Sequence, residues 1–173
     1  MRGRNVPTER GRSQPTATSM AWRTWGLALI GLVLACEGPA RTEPYAVGAD
    51  GWITIADRKV ALEIVRTPEA QSLGLGERDS LAWNRGMLFV YDKPGFPRFW
   101  MKGMRFDIDI VWILDDRVTE ISHRVPHVPG QNGPLIGPRN LTNRVLEVPA
   151  GYAQAHGWRA GQRVEIATFP ARP

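Results

Sequence analysis

The stretch that decides the fold class is Ile108-Asp109-Ile110-Val111-Trp112-Ile113-Leu114. In an extended chain, successive side chains point to opposite faces of a sheet. One face of this stretch is therefore wholly apolar, and the other is apolar except at Asp109. The pattern predicts a β-strand that is covered on both sides, at the centre of a packed domain.

Short extended segments separated by turns surround this strand. The segments with strand-like patterns are 52–56, 59–66, 86–91, 99–102, 117–123, 144–148 and 162–169. Thr67-Pro68-Glu69 is typical of a helix start, and Gly74 predicts its end. Residues 152–156 predict a second short helical turn. The pattern predicts a mainly β domain, a compact antiparallel barrel or sandwich with one or two short helices.

Residues 124–141 predict a long loop, because four prolines and three glycines interrupt any regular pattern there. Loops of this length are uncommon in compact domains and are often functional. We expect this loop to pack along one rim of the domain and to border any pocket, anchored by Val125 and Val128. The alternative is a mobile surface excursion, which Gln131 and Asn132 would tolerate.

Cys36 is the only cysteine of the chain, and it ends an apolar run that begins at Trp25. Arg23 precedes the run, and the small residue Ala35 precedes the cysteine, as in a secretory signal. Val33-Leu34-Ala35-Cys36 resembles the bacterial lipobox, in which the cysteine is lipidated and becomes the new N-terminus. The run is too short for a membrane-spanning helix. We predict an exported protein, lipid-anchored to a membrane of the cell envelope through Cys36.

This signal divides the chain into three parts. Residues 1–35 are an N-terminal extension and lipoprotein signal peptide, residues 36–50 a tether, and residues 51–170 a single β-rich domain. Met20 begins a signal of ordinary layout, so it is a candidate for the true start. Five arginines and one glutamate lie in residues 1–35, which leaves a charge of only +1 out of +5 for the remainder. A nearly neutral domain gives no support for nucleic-acid binding.

Three blocks of sequence, taken in order, resemble a known family. They are Gly74-Leu75-Gly76-Glu77-Arg78 running to 86–90, Phe99-Trp100-Met101-Lys102 followed by Asp109, and Val145-Leu146-Glu147-Val148-Pro149-Ala150-Gly151. Together they resemble the prokaryotic family called domain of unknown function 192, over residues 52–169. The chain departs from the family pattern at Gln71, Gly76 and Asp107. The resemblance implies a compact, mostly β domain that is often exported or membrane-tethered, and it implies no established reaction, cofactor or substrate.

Asp107 and Asp109 are two residues apart, so in a strand both would point the same way. Such a pair can bind Ca²⁺ or divide the acid and base roles of an enzyme. The alternative, which we favour, is that Asp109 accepts hydrogen bonds from the backbone, from Lys102 or from an arginine, with Arg78 as a candidate partner.

The sequence does not indicate a metal site or a cofactor. His123 and His127 are four residues apart, but Pro126 prevents the helix that would place both on one face. No serine lies in a nucleophile-elbow pattern, and no glycine-rich phosphate loop follows a strand.

Three functional hypotheses remain open. The first is a binding or accessory module with candidate ligand-binding residues Arg78, Trp100, Lys102, Asp109 and Glu147, in which an exposed aromatic next to Lys102 would suit sugar stacking. The second is an enzyme that acts on an envelope polymer, with Asp109 or Glu147 as acid or base. The third is a structural or interaction domain without a small ligand. The ligand or protein partner is not identified by the sequence.

Overall fold

The computed structural model describes residues 48–170. Its elements are β1 (Gly51–Ile55), β2 (Arg58–Val65), α1 (Pro68–Leu73), β3 (Arg85–Gly95), β4 (Phe99–Trp100), β5 (Ile108–Leu114), β6 (Arg117–Val125), β7 (Leu135–Ile136), β8 (Thr142–Pro149), α2 (Tyr152–Ala155) and β9 (Val164–Thr168). The predicted signal peptide, Cys36 and residues 36–47 of the predicted tether lie outside the described residues. None of the helices within residues 48–170 has the length and apolar character needed to cross a membrane.

Seven strands form one curled sheet in the order β6-β5-β8-β3-β2-β1-β9, and β4 pairs with β7 in a small second sheet. The two edges of the large sheet meet at one end, where the N–H of Val118 donates to the carbonyl of Gln162 (3.0 Å) and that of Val164 donates to Asp116 (2.8 Å). The predicted mainly β class is confirmed, in the form of a half-barrel with two short helices.

One pairing differs from the expected antiparallel arrangement, because β2 and β3 run parallel, with Leu62 opposite Gly86 and Ile64 opposite Leu88. Parallel neighbours need a crossover of a dozen or more residues, usually through a helix. The segment 66–84, which contains α1, is that crossover. It carries the chain over the outer face of the sheet and so brings α1 and the following residues above β3.

The central strand β5 is buried on both faces, as its sequence predicts. Val111 and Ile113 belong to a core cluster inside the curl of the sheet. Ile110 and Trp112 belong to a second cluster on the outer face. The sheet therefore has two apolar faces, and each must be covered by another part of the chain.

The inner cluster is closed by α2 and the residues after it. Its buried members are Ile53, Ile55, Val60, Leu62, Leu88, Val111, Ile113, Val118, Leu146, Val148, Tyr152, Ala153, Trp158 and Val164. Tyr152 and Trp158 meet edge to face, with their ring centroids 5.2 Å apart. These two aromatic side chains close one end of the half-barrel.

The outer cluster is covered by the segments around α1 and β4. Phe99 of β4 contacts Phe89 of β3 and Trp112 of β5 edge to face, at centroid distances of 4.9 and 5.5 Å. Leu75, Met101 and Met104 complete the cover. Such aromatic pairs add to the stabilisation that burial of apolar area provides.

The helix α1 begins and ends where the sequence predicts. The Thr67 hydroxyl accepts a hydrogen bond from the N–H of Ala70 (3.3 Å), and Gly74 follows the last helical residue with φ of 53°. The Gln71 side-chain amide donates to the carbonyls of Val65 (3.4 Å) and Val90 (3.0 Å). This amide ties α1 to β2 and β3.

The loop predicted for residues 124–141 is shorter than expected, and it is mostly exposed but contacts the segment after β4. β6 extends to Val125, and β7 occupies Leu135–Ile136. The N–H of Met101 donates to the carbonyl of Asn132 (2.9 Å). Gly133 adopts φ of 65°, and a Cβ there would lie 2.7 Å from that of Met101, so only glycine permits this approach.

Candidate functional site

Glu147 is a buried acidic side chain in the middle of the large sheet. It lies on β8 opposite Met87 of β3 and Ile110 of β5, and only 6% of its surface is exposed. Strand alternation places it on the outer face with Val145, while Leu146 and Val148 face the inner core. Between residues 48 and 170, no group forms a hydrogen bond or ion pair with its carboxyl.

A cavity of about 340 Å³ lies over Glu147. Residues from α1 to Gly76 form one side of the cavity, and residues in the segment 98–104 around β4 form the other side. Phe89 and Tyr91 of β3 and Glu147 of β8 line it from the large sheet. Its lining residues are Pro68, Gln71, Ser72, Leu73, Gly74, Leu75, Gly76, Phe89, Tyr91, Arg98, Phe99, Trp100, Lys102, Met104 and Glu147. Glu147 is the one carboxylate among these described lining residues. We call this space the Glu147 cavity.

Gly76 is needed for the shape of one wall. A Cβ at this position would lie 2.9 Å from the carbonyl oxygen of Leu73 and 3.3 Å from that of Lys102. The next residue, Glu77, donates its N–H to the carbonyl of Gly103 (2.8 Å). The absence of a side chain at residue 76 therefore lets the segment after α1 approach the segment after β4.

Burial raises the pKa of two ionisable side chains that line the cavity, Glu147 and Tyr91. Desolvation raises the pKa of Glu147 from 4.5 to about 8, and the positive charge of Arg78 opposes part of that rise. Desolvation, followed by the negative charge of Glu147, raises the pKa of Tyr91 to about 12. At pH 7 the carboxyl of Glu147 is therefore mostly neutral, and it can both donate and accept a hydrogen bond.

Trp100 and Lys102 lie at the mouth of the same cavity. Trp100 is 48% exposed, whereas its neighbour Phe99 is buried, so the two side chains point to opposite faces of an extended segment. The Lys102 ammonium lies 5.3 Å from the centroid of the Trp100 ring, within the range of a cation–π contact. Arg98, also exposed, provides a second cation at the mouth.

Arg78 does not contact Asp109, which was its expected partner. Its Nη1 donates to both carboxylate oxygens of Glu63 of β2, at 2.7 and 2.9 Å. Both side chains are partly exposed. The crossover between β2 and β3 brings residue 78 back over β2, so Glu63 is the nearer carboxylate. Arg78 acts on Glu147 only through its charge.

Asp109 lies outside the Glu147 cavity and has a full set of backbone partners. One carboxylate oxygen accepts the N–H groups of Arg124 (2.7 Å) and Gly151 (3.0 Å), and the other accepts that of Ala153 (2.9 Å). The side chain has no exposed surface. The prediction that backbone groups satisfy Asp109 is confirmed, and the alternatives that placed Lys102 or an arginine side chain there are wrong. This carboxylate joins β5 to the end of β6 and to α2.

Asp107 and Asp109 do not form a shared site. Asp107 accepts hydrogen bonds from the backbone N–H (2.9 Å) and the Nδ1 (2.6 Å) of His127. The hydrogen bond from the His127 side chain lowers the pKa of Asp107 below its usual range. Each aspartate thus binds a different segment of the chain, because Asp107 precedes β5 and lies outside its regular alternation.

A second, larger cavity of about 620 Å³ lies between residues 127–132 and residues 103–105, with Glu77 beside them. The long loop borders this cavity, but it contributes no lining residue to the Glu147 cavity, so the expectation that it borders any pocket is met only here. None of its lining residues is a deeply buried polar group comparable with Glu147. No group of three or more His, Cys, Asp or Glu side chains that could hold a metal ion occurs within residues 48–170.

The structure thus brings three of the sequence candidates to one cavity, namely Trp100, Lys102 and Glu147. Asp109 and Arg78 do not line it. Sequence reasoning missed Tyr91 and Arg98 as members of the site. Tyr91 could have been found from the sequence, because strand alternation places it on the same face of β3 as Phe89. No local pattern marks Arg98.

Comparison with known proteins gives a family and two related folds. The model of the family described as DUF192, an uncharacterized ACR, matches residues 52–166. A solved protein of unknown function from Novosphingobium aromaticivorans is 27% identical, with a TM-score of 0.62, over 74% of this chain and 99% of that chain. A solved protein described as a proposed transcription regulator from Sinorhizobium meliloti is 25% identical, with a TM-score of 0.62, over 69% of this chain and 95% of that chain. No curated protein matched.

Proposed function

Because the chain belongs to the uncharacterised DUF192 family, as its sequence blocks indicated, we propose a function from the geometry of the Glu147 cavity. The protein is a lipid-anchored domain of the cell envelope that binds a small polar fragment of an envelope polymer. The fragment enters the Glu147 cavity, and Trp100 and Lys102 bind the part that remains at the mouth.

The observation that carries this proposal is the unpartnered carboxyl of Glu147. Buried polar groups in proteins nearly always have hydrogen-bond partners within the protein or from water. Between residues 48 and 170, the one fully buried side-chain N or O atom without a partner is Trp158 Nε1, whereas the carboxyl of Glu147 faces the cavity. Asp109 shows the usual solution in the same fold, since three backbone N–H groups satisfy it. Glu147 has no such protein partner and faces an open cavity, so a ligand that enters the cavity would contact this carboxyl directly.

The mouth of the cavity favours a ligand that extends beyond it. An exposed tryptophan offers a flat apolar face on which a sugar ring can stack, and Lys102 beside it favours acidic substituents. Sugars that carry acidic groups and peptides occur together in peptidoglycan. The cavity volume of about 340 Å³ suits one small group, with the remainder of the polymer outside.

The anchor is inferred from the sequence. Lipidation of Cys36 would hold the domain at a membrane surface, where envelope polymers are accessible, and would explain a single cysteine in an exported protein. The near-neutral charge of the chain after residue 35 agrees with a partner other than nucleic acid.

A second candidate function is hydrolysis with Glu147 as general acid. A carboxyl with a pKa of about 8 is protonated at neutral pH and could protonate a leaving group. Glycoside hydrolysis normally needs a second carboxylate on the opposite side of the bond. Glu147 is the one carboxyl among the described residues that line the cavity, so the lining offers no second carboxylate for such a reaction. This favours binding over catalysis.

The proposal is tested by NMR with soluble muropeptides, prepared by muramidase digestion of purified peptidoglycan. We expect shifts of the Trp100 indole signal and of backbone signals at Phe89 and Tyr91. Ser72→Phe, which adds a ring to the lining, should abolish these shifts. Ser80→Phe is the matched control, because Ser80 is exposed and lies outside the cavity lining.

Two results would contradict the proposal. One is a set of shifts that maps to the larger cavity between residues 103–105 and 127–132. The other is the absence of any shift at saturating muropeptide, which would favour a structural or interaction domain. Appearance of shortened muropeptides in the sample, abolished by Glu147→Gln, would instead establish the hydrolase.

A further inference from the structure

The charges around the Glu147 cavity are arranged by depth. The single carboxyl among the described lining residues is at the floor, where it is 6% exposed. The two cations of the lining, Arg98 and Lys102, are both exposed and lie at the mouth. A ligand that matched this arrangement would carry positive charge at its inner end and negative charge at its outer end.

The walls between floor and mouth are aromatic. Phe89, Tyr91, Phe99 and Trp100 all line the cavity. The negative face of an aromatic ring attracts a cation, most strongly where water is excluded. An ammonium group would thus meet favourable surroundings on its way to Glu147, whereas an acidic group would not.

We propose that the Glu147 cavity binds an α-amino acid head group, with its ammonium on Glu147 and its carboxylate toward Lys102 and Arg98. This inference rests on the proposed function, and it names the part of the envelope polymer that enters the cavity. Within a peptide, a head group with ammonium and carboxylate on one carbon is found only on a side chain, such as that of the diaminopimelate residue of peptidoglycan stem peptides.

The proposal has a consequence for protonation. An ammonium ligand is bound best by an ionised carboxylate, so binding should expel the proton that Glu147 holds in the empty cavity. Affinity should then increase about tenfold for each pH unit below the pKa of Glu147 and level off above it. A neutral ligand such as a sugar hydroxyl would not require ionisation, and its affinity would not increase with pH.

The other charged groups near Glu147 do not produce this dependence. The cations near Glu147 are Arg78, paired with Glu63, and the cavity residues Arg98 and Lys102. Tyr91 stays neutral between pH 6 and 8, because burial raises its pKa to about 12. Glu147, with its pKa raised to about 8, is the cavity group that changes charge there.

The test is calorimetric titration of the full chain, purified in detergent, with meso-diaminopimelic acid at pH 6, 7 and 8. We expect the affinity to rise about tenfold from pH 6 to pH 7. N,N′-diacetyl-diaminopimelic acid, which lacks the ammonium groups, should bind at least tenfold more weakly at pH 8. These two measurements use the unmodified protein and do not depend on the folding of any variant.

Two variants test which cavity residue binds the ammonium of the ligand and which binds its carboxylate. Glu147→Gln keeps the shape and hydrogen-bonding capacity of the side chain but cannot ionise, so it should lower the affinity at least tenfold at pH 8 and remove the pH dependence. Lys102→Met should lower it severalfold and leave the pH dependence intact. Glu165→Gln, a change on the exposed face of β9, is the control and should match the wild type.

The outcomes separate this inference from the proposed function. If N-acetylglucosamine binds with shifts at Trp100 and Tyr91, and Glu147→Gln leaves its affinity unchanged, the cavity is a neutral sugar site and the amino acid inference fails. If diaminopimelic acid binds equally well at pH 6 and 8, the inference also fails. If muropeptides and diaminopimelic acid both leave the cavity signals unchanged, the inference and the proposed function fail together.

Discussion

Replacing Glu147 with glutamine should stabilise the protein, and the gain should grow with pH. Burial raises the pKa of this carboxyl from 4.5 to about 8. A group whose pKa is higher in the folded state binds its proton more tightly there than in the unfolded chain. Its favourable contribution is therefore complete below pH 4.5 and is lost as the pH rises toward 8. Glutamine has no proton to lose, so the variant should not show this decline.

The magnitude follows from the two pKa values. Each pH unit between them corresponds to about 1.36 kcal/mol, so the complete effect at pH 8 is at most about 4–5 kcal/mol. The cavity above Glu147 is open to water, which reduces the desolvation, and we expect a difference of about 2–4 kcal/mol. Well below pH 4.5 the pH-dependent difference between the variant and the wild type should vanish, because the carboxyl is then neutral in both the folded and the unfolded state.

The assay is urea unfolding followed by tryptophan fluorescence at pH 5, 6, 7 and 8. The wild type should lose stability relative to Glu147→Gln across this series. Glu165→Gln makes the same chemical change on the exposed face of β9, and its curve should run parallel to that of the wild type. A constant difference between Glu147→Gln and the wild type at all four pH values would refute the reasoning, because it would show that Glu147 does not hold its proton in the folded state.

Three further predictions concern other residues. Asp109→Asn should lower the free energy of unfolding by about 1–3 kcal/mol, measured by thermal melts, because an amide cannot accept all three backbone N–H groups at both positions; an unchanged melting temperature would contradict the structural role of Asp109. Arg78→Met should raise the pKa of Glu147 above about 8, since Arg78 is the group that lowers it; an NMR titration of the carboxyl carbon that shows no movement would argue against this. Cys36→Ser should leave a soluble or uncut form in membrane fractionation, and finding residue 35 still attached to the wild-type protein by mass spectrometry would exclude the lipoprotein signal.

The sequence was most informative where structure depends on neighbours a few residues away. The caps of α1 lie at Thr67 and Gly74 as predicted, because capping involves only the first and last turns. The bounds of β5 and its two apolar faces also agree, since alternation is a property of one strand. The opposite orientations of Phe99 and Trp100 follow from the same rule.

Errors occurred where a partner comes from a distant part of the chain. The parallel pairing of β2 with β3 depends on how the segment 66–84 crosses the sheet. The same crossover gives Arg78 the partner Glu63 in place of Asp109. Candidate carboxylates could be recognised from the sequence, but their partners could not, because pairing depends on register and on the route of the chain.

Local patterns in the sequence were enough to predict the mainly β class, the positions of the short helices, the family resemblance and acidic residues within two strands. The surroundings of those acids depend on the tertiary fold. Asp109 and Glu147 both lie in strands of the same sheet, one on each face. The inner face brings the N–H groups of α2 and the end of β6 to Asp109, and the outer face leaves Glu147 beneath a cavity. The groups that reach Asp109 lie 15 to 44 residues away in sequence, and no local pattern encodes where such segments pack.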